Sequence, residues 1–293
     1  MNPEVRCVTD VVDEIGEGPM WSAREQSLCW VDAGPDARRL MRWQARTGTT
    51  DIWQLALRAP NVNERAAGGL LVGLQRGLAT AEHWGAPLVD LPLLGVDFEV
   101  ERINDSGVDA AGRLWLGTFD RRLKAPLGAL YRIDGALSAA RVDQGFMMSN
   151  GIAFSPDART MYFNDSRPGR IHAYDYDVAS GEASRHRILM DFAGRQGRPD
   201  GCAMDAEGFL WVAEIDAGQL LRLAPDGRIA RTVPLPVSRP TSLAFGGDDL
   251  RTIFVTSMTF GLDATQRERQ PWAGRLLAFD AGVAGLPRPP VTF

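Results

Sequence analysis

The chain has 293 residues, a formal net charge of −5 and 45% hydrophobic residues, a composition that supports a sizeable core. Its basic residues are scattered rather than striped, which argues against nucleic acid as a partner, and no apolar run approaches the ~20 residues that cross a bilayer. Three cysteines (Cys7, Cys29, Cys202) and three histidines (His83, His172, His186) lie far apart, without the spacing of a common zinc site.

The segment Met1-Asn-Pro-Glu-Val-Arg6 lacks a basic stretch followed by an apolar one, so no secretion signal is read and the cytoplasm is the expected compartment. In that reducing setting the cysteines read as small buried hydrophobes, and the histidines as surface or loop residues.

Along the chain, similar short apolar strands recur at Cys29-Trp-Val-Asp32, Leu71-Val-Gly-Leu74, Leu114-Trp-Leu-Gly-Thr118, Met161-Tyr-Phe-Asn-Asp165, Phe209-Leu-Trp-Val-Ala213 and Ile253-Phe-Val-Thr-Ser257. Their spacing of roughly 45 residues is that of a four-stranded propeller blade. The copy from Ser149 to Phe192 is the clearest. Gly151–Ser155, Thr160–Asn164, Arg170–Asp175 and Arg187–Asp191 read as four strands of an antiparallel meander, joined by turn residues such as Pro156-Asp-Ala-Arg159. Asp109-Ala-Ala-Gly112 and Asp205-Ala-Glu-Gly208 repeat an Asp-x-x-Gly turn, in which Asp caps local amides and Gly accepts a positive φ.

No amphipathic helix of useful length is present. The expected fold is therefore all-β: a six-bladed β-propeller with four antiparallel strands per blade, one domain over residues 1–293. Val5–Asp10, Gly274–Phe279 and Pro290–Phe293 are the candidates for closing the ring. The second copy is the poorest, because Asn61-Val-Asn-Glu-Arg65 is too polar for a first strand packed on both faces. Trp30, Trp115 and Trp211 lie within repeat strands and read as core rather than as a peptide-binding face.

Shortly upstream of the repeat strands lie Glu17, Asn104, Asn150, Asp200 and Thr241, each near the start of the preceding strand. Rotation about a propeller axis would bring such positions together at one mouth of the channel. Three of them suit a hard cation: Glu17 in Gly16-Glu-Gly-Pro19, Asn150 in Ser149-Asn-Gly151 and Asp200 in Pro199-Asp-Gly201. Each motif alone reads more often as a turn; agreement in repeat phase is what turn formation does not require.

These residues carry a resemblance. The chain is similar, along nearly its full length, to the gluconolactonase/regucalcin family (the senescence-marker-protein-like lactonases). The matching blocks are Gly16–Trp21, Arg102–Asp105 with Val108–Thr118, Ser149–Asp157, Tyr162–Ser166, Pro199–Gly201 with Asp205–Ala213, and Arg239–Ser242 with Phe245–Gly247. The resemblance implies one divalent metal at the axis, held by Glu17, Asn150 and Asp200, and substrate binding by Arg102 and Asn104. Two departures stand out: Gly117-Thr-Phe-Asp-Arg-Arg122, where some members carry acidic residues, and the polar segment Asn61–Arg65. Both are expected at the rim, where Asp120, Arg121 or Arg122 would alter which sugar acid fits.

The function expected is hydrolysis of a sugar-derived lactone (an aldonolactone) to the aldonic acid, with Asp200 also accepting the proton of the attacking water. For Arg102 a salt bridge with Glu101 or Asp105 is the competing reading. Oxygen ligands favour Ca²⁺ and permit Mg²⁺ or Mn²⁺, while an open mixed site also admits Zn²⁺ or Fe²⁺. The expected partner is a small-molecule sugar lactone, with no nucleic acid, membrane or obligate protein partner. The rival functions are a calcium-binding or scaffold propeller without catalysis, and a metal-dependent esterase or phosphotriesterase on the same fold.

Overall fold

The structure, a computed structural model, describes residues 3–293. A two-residue strand, β1 (Arg6–Cys7), comes first. Blade one follows as β2 (Gly16–Ser22), β3 (Ser27–Asp32), β4 (Arg39–Gln44) and β5 (Thr50–Gln54), and blade two as β6 (Asn61–Glu64), β7 (Leu70–Leu74), β8 (Gly77–Ala81) and β9 (Val89–Leu91). Blade three is β10 (Glu101–Val108), β11 (Leu114–Asp120), β12 (Gly128–Ile133) and β13 (Ala139–Phe146). Blade four is β14 (Ser149–Phe154), β15 (Thr160–Asp165), β16 (Arg170–Asp177) and β17 (Glu182–Asp191). Blade five is β18 (Arg198–Met204), β19 (Leu210–Ile215), β20 (Gln219–Leu223) and β21 (Ile229–Pro234). Blade six takes β22 (Pro240–Gly246), β23 (Thr252–Ser257) and β24 (Leu277–Asp280), and its outermost strand is β1.

The six antiparallel sheets form the expected propeller. Their first strands, β2, β6, β10, β14, β18 and β22, contact one another in succession and line the axis. One helix is present among the described residues, α1 (Ala264–Arg269), capped by Asp263 and burying no side chain.

Ring closure uses two of the three expected segments. Arg6 and Cys7 pair with Ala278 and Leu277, so the two ends of the chain share one sheet. The third segment, Pro290–Phe293, joins no blade. Residues 284–293 instead run as a strap across the far end of the ring. The strap bonds Leu250 and Met204 through Gly285 and Leu286, then Glu64 and Ala66 through Val291, and Gly112 through Thr292. Pro287, Pro289 and Pro290 lack the amide that ladder pairing needs, which suits a strap better than a strand.

The core lies between neighbouring blades. Trp211 and Leu220 of blade five pack with Leu243, Phe245 and Ile253 of blade six, and Trp115 and Leu130 of blade three with Ile152, Met161 and Phe163 of blade four. Trp30, Trp115 and Trp211 are fully buried, as the sequence implies. The Asp-x-x-Gly turns do more than turn. Asp109 Oδ2 accepts the Trp115 indole N–H at 3.1 Å and Asp205 Oδ2 that of Trp211 at 2.9 Å, while each Oδ1 takes two backbone amides.

Two expectations need correction. Asn61 and Asn63 are buried in a regular first strand, because their side chains face the channel rather than the blade core; Asn63 donates to Ser106 Oγ, and Asn61 to the Asn104 carbonyl. His172 is no surface residue. It lies within β16, buried against Phe146 and Phe163, and hydrogen bonds to His186 of β17 at 2.7 Å. Cys29 is buried as expected, whereas Cys7 and Cys202 are half-buried.

Candidate functional site

In five of the six blades, the ladder between first and second strand breaks at the polar residue singled out by repeat phase. The breaks fall between Glu17 and Met20, Ile103 and Asp105, Asn150 and Ile152, Pro199 and Cys202, and Pro240 and Leu243. Each is a β-bulge, one residue more on the first strand than on its partner, and a bulge re-aims a side chain away from the pleat. Blade two pairs without a break. Glycine makes two of the bulges possible. Gly18 and Gly151 have φ of 54° and 47°, and a Cβ on Gly151 would meet Asn164 Nδ2 at 2.3 Å and the Asp200 carbonyl at 2.8 Å.

The bulges bring most of the selected residues together. Asn104 Nδ2 donates to Asn150 Oδ1 and to the Ser149 carbonyl, both at 2.8 Å. Asn150 Nδ2 donates in turn to Ser166 Oγ, which fixes its oxygen toward the channel. Asp200 is held through its backbone, the carbonyl accepting from Asn164 Nδ2 at 2.6 Å, while its Oδ1 is buried without a hydrogen-bond partner. Glu17 Oε2 accepts the Gly18 amide at 3.1 Å. Thr241, also in phase, serves the ring instead: its hydroxyl bonds the Gly16 carbonyl and Thr256.

A further carboxylate belongs to this group. Asp105 Oδ1 accepts the Ser106 amide and its Oδ2 the Gly151 amide at 2.8 Å, tying blade three to the bulge of blade four. Burial pushes Glu17 well above the usual carboxylate range, and the charges of Asp200 and Asp105 add to it. Asp200 is raised well above its range by burial and then by Asp105. Asp105 is raised by burial, against its two amide bonds and the charge of Arg288. Arg198 and Arg239 oppose that rise without pairing with Asp200; each pairs with Asp216 at 2.9 Å.

These residues fit a divalent cation. A buried carboxylate oxygen without a partner, mutually repelling carboxylates and an oriented amide oxygen are a set of hard oxygen donors that a cation would neutralise. Among the described residues no three His, Cys, Asp or Glu side chains gather as a metal group on their own, so the set that fits is the mixed one, with Asn150 as a donor.

Arg102 and Asn104 alternate with Glu101 and Ile103 along β10. The latter two face the blade, Glu101 accepting from Thr118 and Tyr131, so Arg102 and Asn104 face the channel mouth. Arg102 makes no salt bridge with Glu101 or Asp105, each of which is engaged elsewhere. In the departing loop, Asp120 accepts the amides of Arg122, Lys124 and Ala125 and so shapes the turn, while Arg121 pairs with Glu99 at 3.1 Å. No helix among the described residues is long and apolar enough to cross a membrane.

Comparison with known proteins gives a consistent picture. The family model described as the SMP-30/Gluconolactonase/LRE-like region matches residues 15–259. The chain is 36% identical over 290 residues to 6-deoxy-6-sulfogluconolactonase of Pseudomonas putida, covering 99% of both. It is 33% identical over 288 residues to regucalcin of Danio rerio, covering 97% of both. Its fold matches a calcium-binding protein, regucalcin, from Agrobacterium tumefaciens with a TM-score of 0.92, at 23% identity over 99% of this chain and 98% of that one.

Proposed function

The chain belongs to the SMP-30/gluconolactonase/LRE-like family, and from that premise we propose that it is a sugar lactonase, acting as one domain over residues 1–293 to open an aldonolactone to the aldonic acid. The observation that carries this reading is Asp200: a buried carboxylate on a bulge, one oxygen without a partner, beside Glu17 and the oriented amide of Asn150.

Glu17, Asn150 and Asp200 would hold one divalent cation, Ca²⁺ in the first instance given the oxygen donors. When bound, the cation supplies Lewis acidity toward the ester carbonyl and stabilises negative charge on its oxygen. Asp200 accepts the proton of the water that attacks this carbonyl carbon. As the ring C–O bond breaks, that proton passes to the leaving alkoxide, giving the open hydroxy acid, which releases a proton to solvent. Asn104 spends both amide protons on Ser149 and Asn150, so its side-chain Oδ1 is left to accept from a sugar hydroxyl. Arg102, facing the mouth without an ion pair, donates to ring or substituent oxygens.

Acid release from a panel of sugar lactones, followed with chelated protein before and after adding single divalent metals, tests the reading. Turnover should vanish on chelation and return with metal, and Asp200→Ala should abolish it while the ring stays folded. A folded protein that binds a cation yet releases no acid from any lactone would favour the binding-protein alternative.

A further inference from the structure

A second charged feature lies at the same mouth. Arg58 stands in the loop between β5 and β6, where its carbonyl accepts the Gln75 amide. Two residues on, Pro60 and Asn61 pack against Gly18, so close that a Cβ there would lie 3.3 Å from Asn61 Cα. Asn61 also bonds the Asn104 carbonyl. Arg58 is thereby set at the start of the blade-two inner strand, beside the channel-facing start of β10 that carries Arg102.

Both guanidiniums are half-buried, and among the described residues neither has a carboxylate within 4.0 Å. Arg39 engages Asp32 at 2.6 Å, while Arg76 and Arg121 share Glu99. Burial and then the like charge of Arg102 weaken the hold of Arg58 on its proton. The charges of Glu14 and Asp32 also reach Arg58, without an ion pair, and oppose that of Arg102. Partly burying a guanidinium costs free energy unless it meets an anion, and two that feel each other's charge repel until one is supplied. Glu17, Asp105 and Asp200 do not answer this need, since they lie with the candidate cation site.

We infer that Arg58 and Arg102 form an anion-binding subsite at the channel mouth, so that the lactone opened here carries an oxyanion substituent remote from its ester. The inference rests on the lactonase reading and narrows its substrate class. A sulfonate, a phosphate or a carboxylate shares the required chemistry, an oxyanion accepting charge-assisted hydrogen bonds from two guanidiniums. With the ester over Asp200, such a substituent reaches toward blades two and three.

The test is steady-state kinetics of the metal-replete protein on a neutral aldonolactone and on the same ring bearing a sulfonate, a phosphate or a carboxylate at its exocyclic carbon. The expected wild-type result is a preference of about tenfold or more in kcat/KM for at least one anionic ring, reduced by added salt. Arg58→Gln should lower that anionic-to-neutral ratio by roughly 10- to 100-fold and Arg58→Lys by less, whereas Arg185→Gln on the outer strand of blade four should keep it. The three anionic arms identify the group. Neutral turnover with no anionic preference, or a ratio unchanged in Arg58→Gln, would overturn the subsite alone. Absence of turnover on every ring would overturn the lactonase reading and the subsite with it.

Discussion

Asn104 Nδ2 lies 2.8 Å from Asn150 Oδ1, so a side chain of blade three fixes which way the blade-four amide points. The same nitrogen reaches the Ser149 carbonyl at 2.8 Å. One residue thus bridges the seam between two blades and orients a candidate donor oxygen.

Asn104→Ala should therefore act on two observables. Losing the two bonds leaves buried acceptors behind and should cost about 1–3 kcal/mol in urea unfolding. Cation affinity, read by calorimetry, should fall by roughly tenfold or more because Asn150 is freed to rotate. Unchanged affinity would show that Asn150 needs no such help.

Gly151→Ala tests the bulge itself. The position has φ of 47°, and the new methyl would meet Asn164 Nδ2 at 2.3 Å. The expected loss is about 2–4 kcal/mol, with cation affinity and turnover falling together because Asn150 and Asp200 lie on either side. A variant with wild-type melting would mean that the bulge relaxes freely.

Asp13 gives the stability a pH dependence. Burial pushes its carboxyl up from 3.8 to about 7, against a hydrogen bond from Trp30 Nε1 at 2.7 Å; Asp32 raises it further and Arg39 opposes. A folded pKa above the unfolded one means that the folded state holds the extra proton, so stability falls as pH rises from about 4 through about 7. The contribution amounts to at most about 4 kcal/mol. Asp13→Asn keeps an acceptor for Trp30 and should flatten this slope, leaving the variant more stable than wild type at pH 7.5. Urea midpoints at pH 5 and 7.5 decide it, and parallel pH dependences would refute the assignment.

Arg288 anchors the strap. Its Nη2 donates to Asn63 Oδ1 at 2.6 Å and to the Ser106 carbonyl at 2.9 Å, inside the channel and on the side of Asp105 away from the mouth. Arg288→Met removes both bonds and the positive charge opposite Asp105, and should cost about 2–4 kcal/mol. Hydrogen exchange at the Val291 and Thr292 amides should accelerate in the variant. Continued protection there would show that the strap is held by its backbone pairing alone.

The blades were legible in the sequence because each second strand is an apolar run bounded by turn residues. The axial positions were legible because the bulge falls at the same point of five blades. That bulge also hid Asp105. Strict alternation assigns only Arg102 and Asn104 to the channel, whereas the extra residue at Asn104 lets its successor reach the mouth as well. Arg58 sits in a loop with no periodicity, and the strap acts through pairings far along the chain, such as Val291 with Arg65. His172 looked isolated because its partner, His186, stands on the neighbouring strand, 14 residues along.

Because the candidate donors sit at or directly beside ladder breaks, where pairing is already interrupted, exchanging one of them leaves most of the strand pairing around it intact. The mouth therefore has room to change its chemistry while the scaffold keeps its cohesion. A ring of this kind can change what its mouth accepts by substitutions at a few separate places while its blades stay paired.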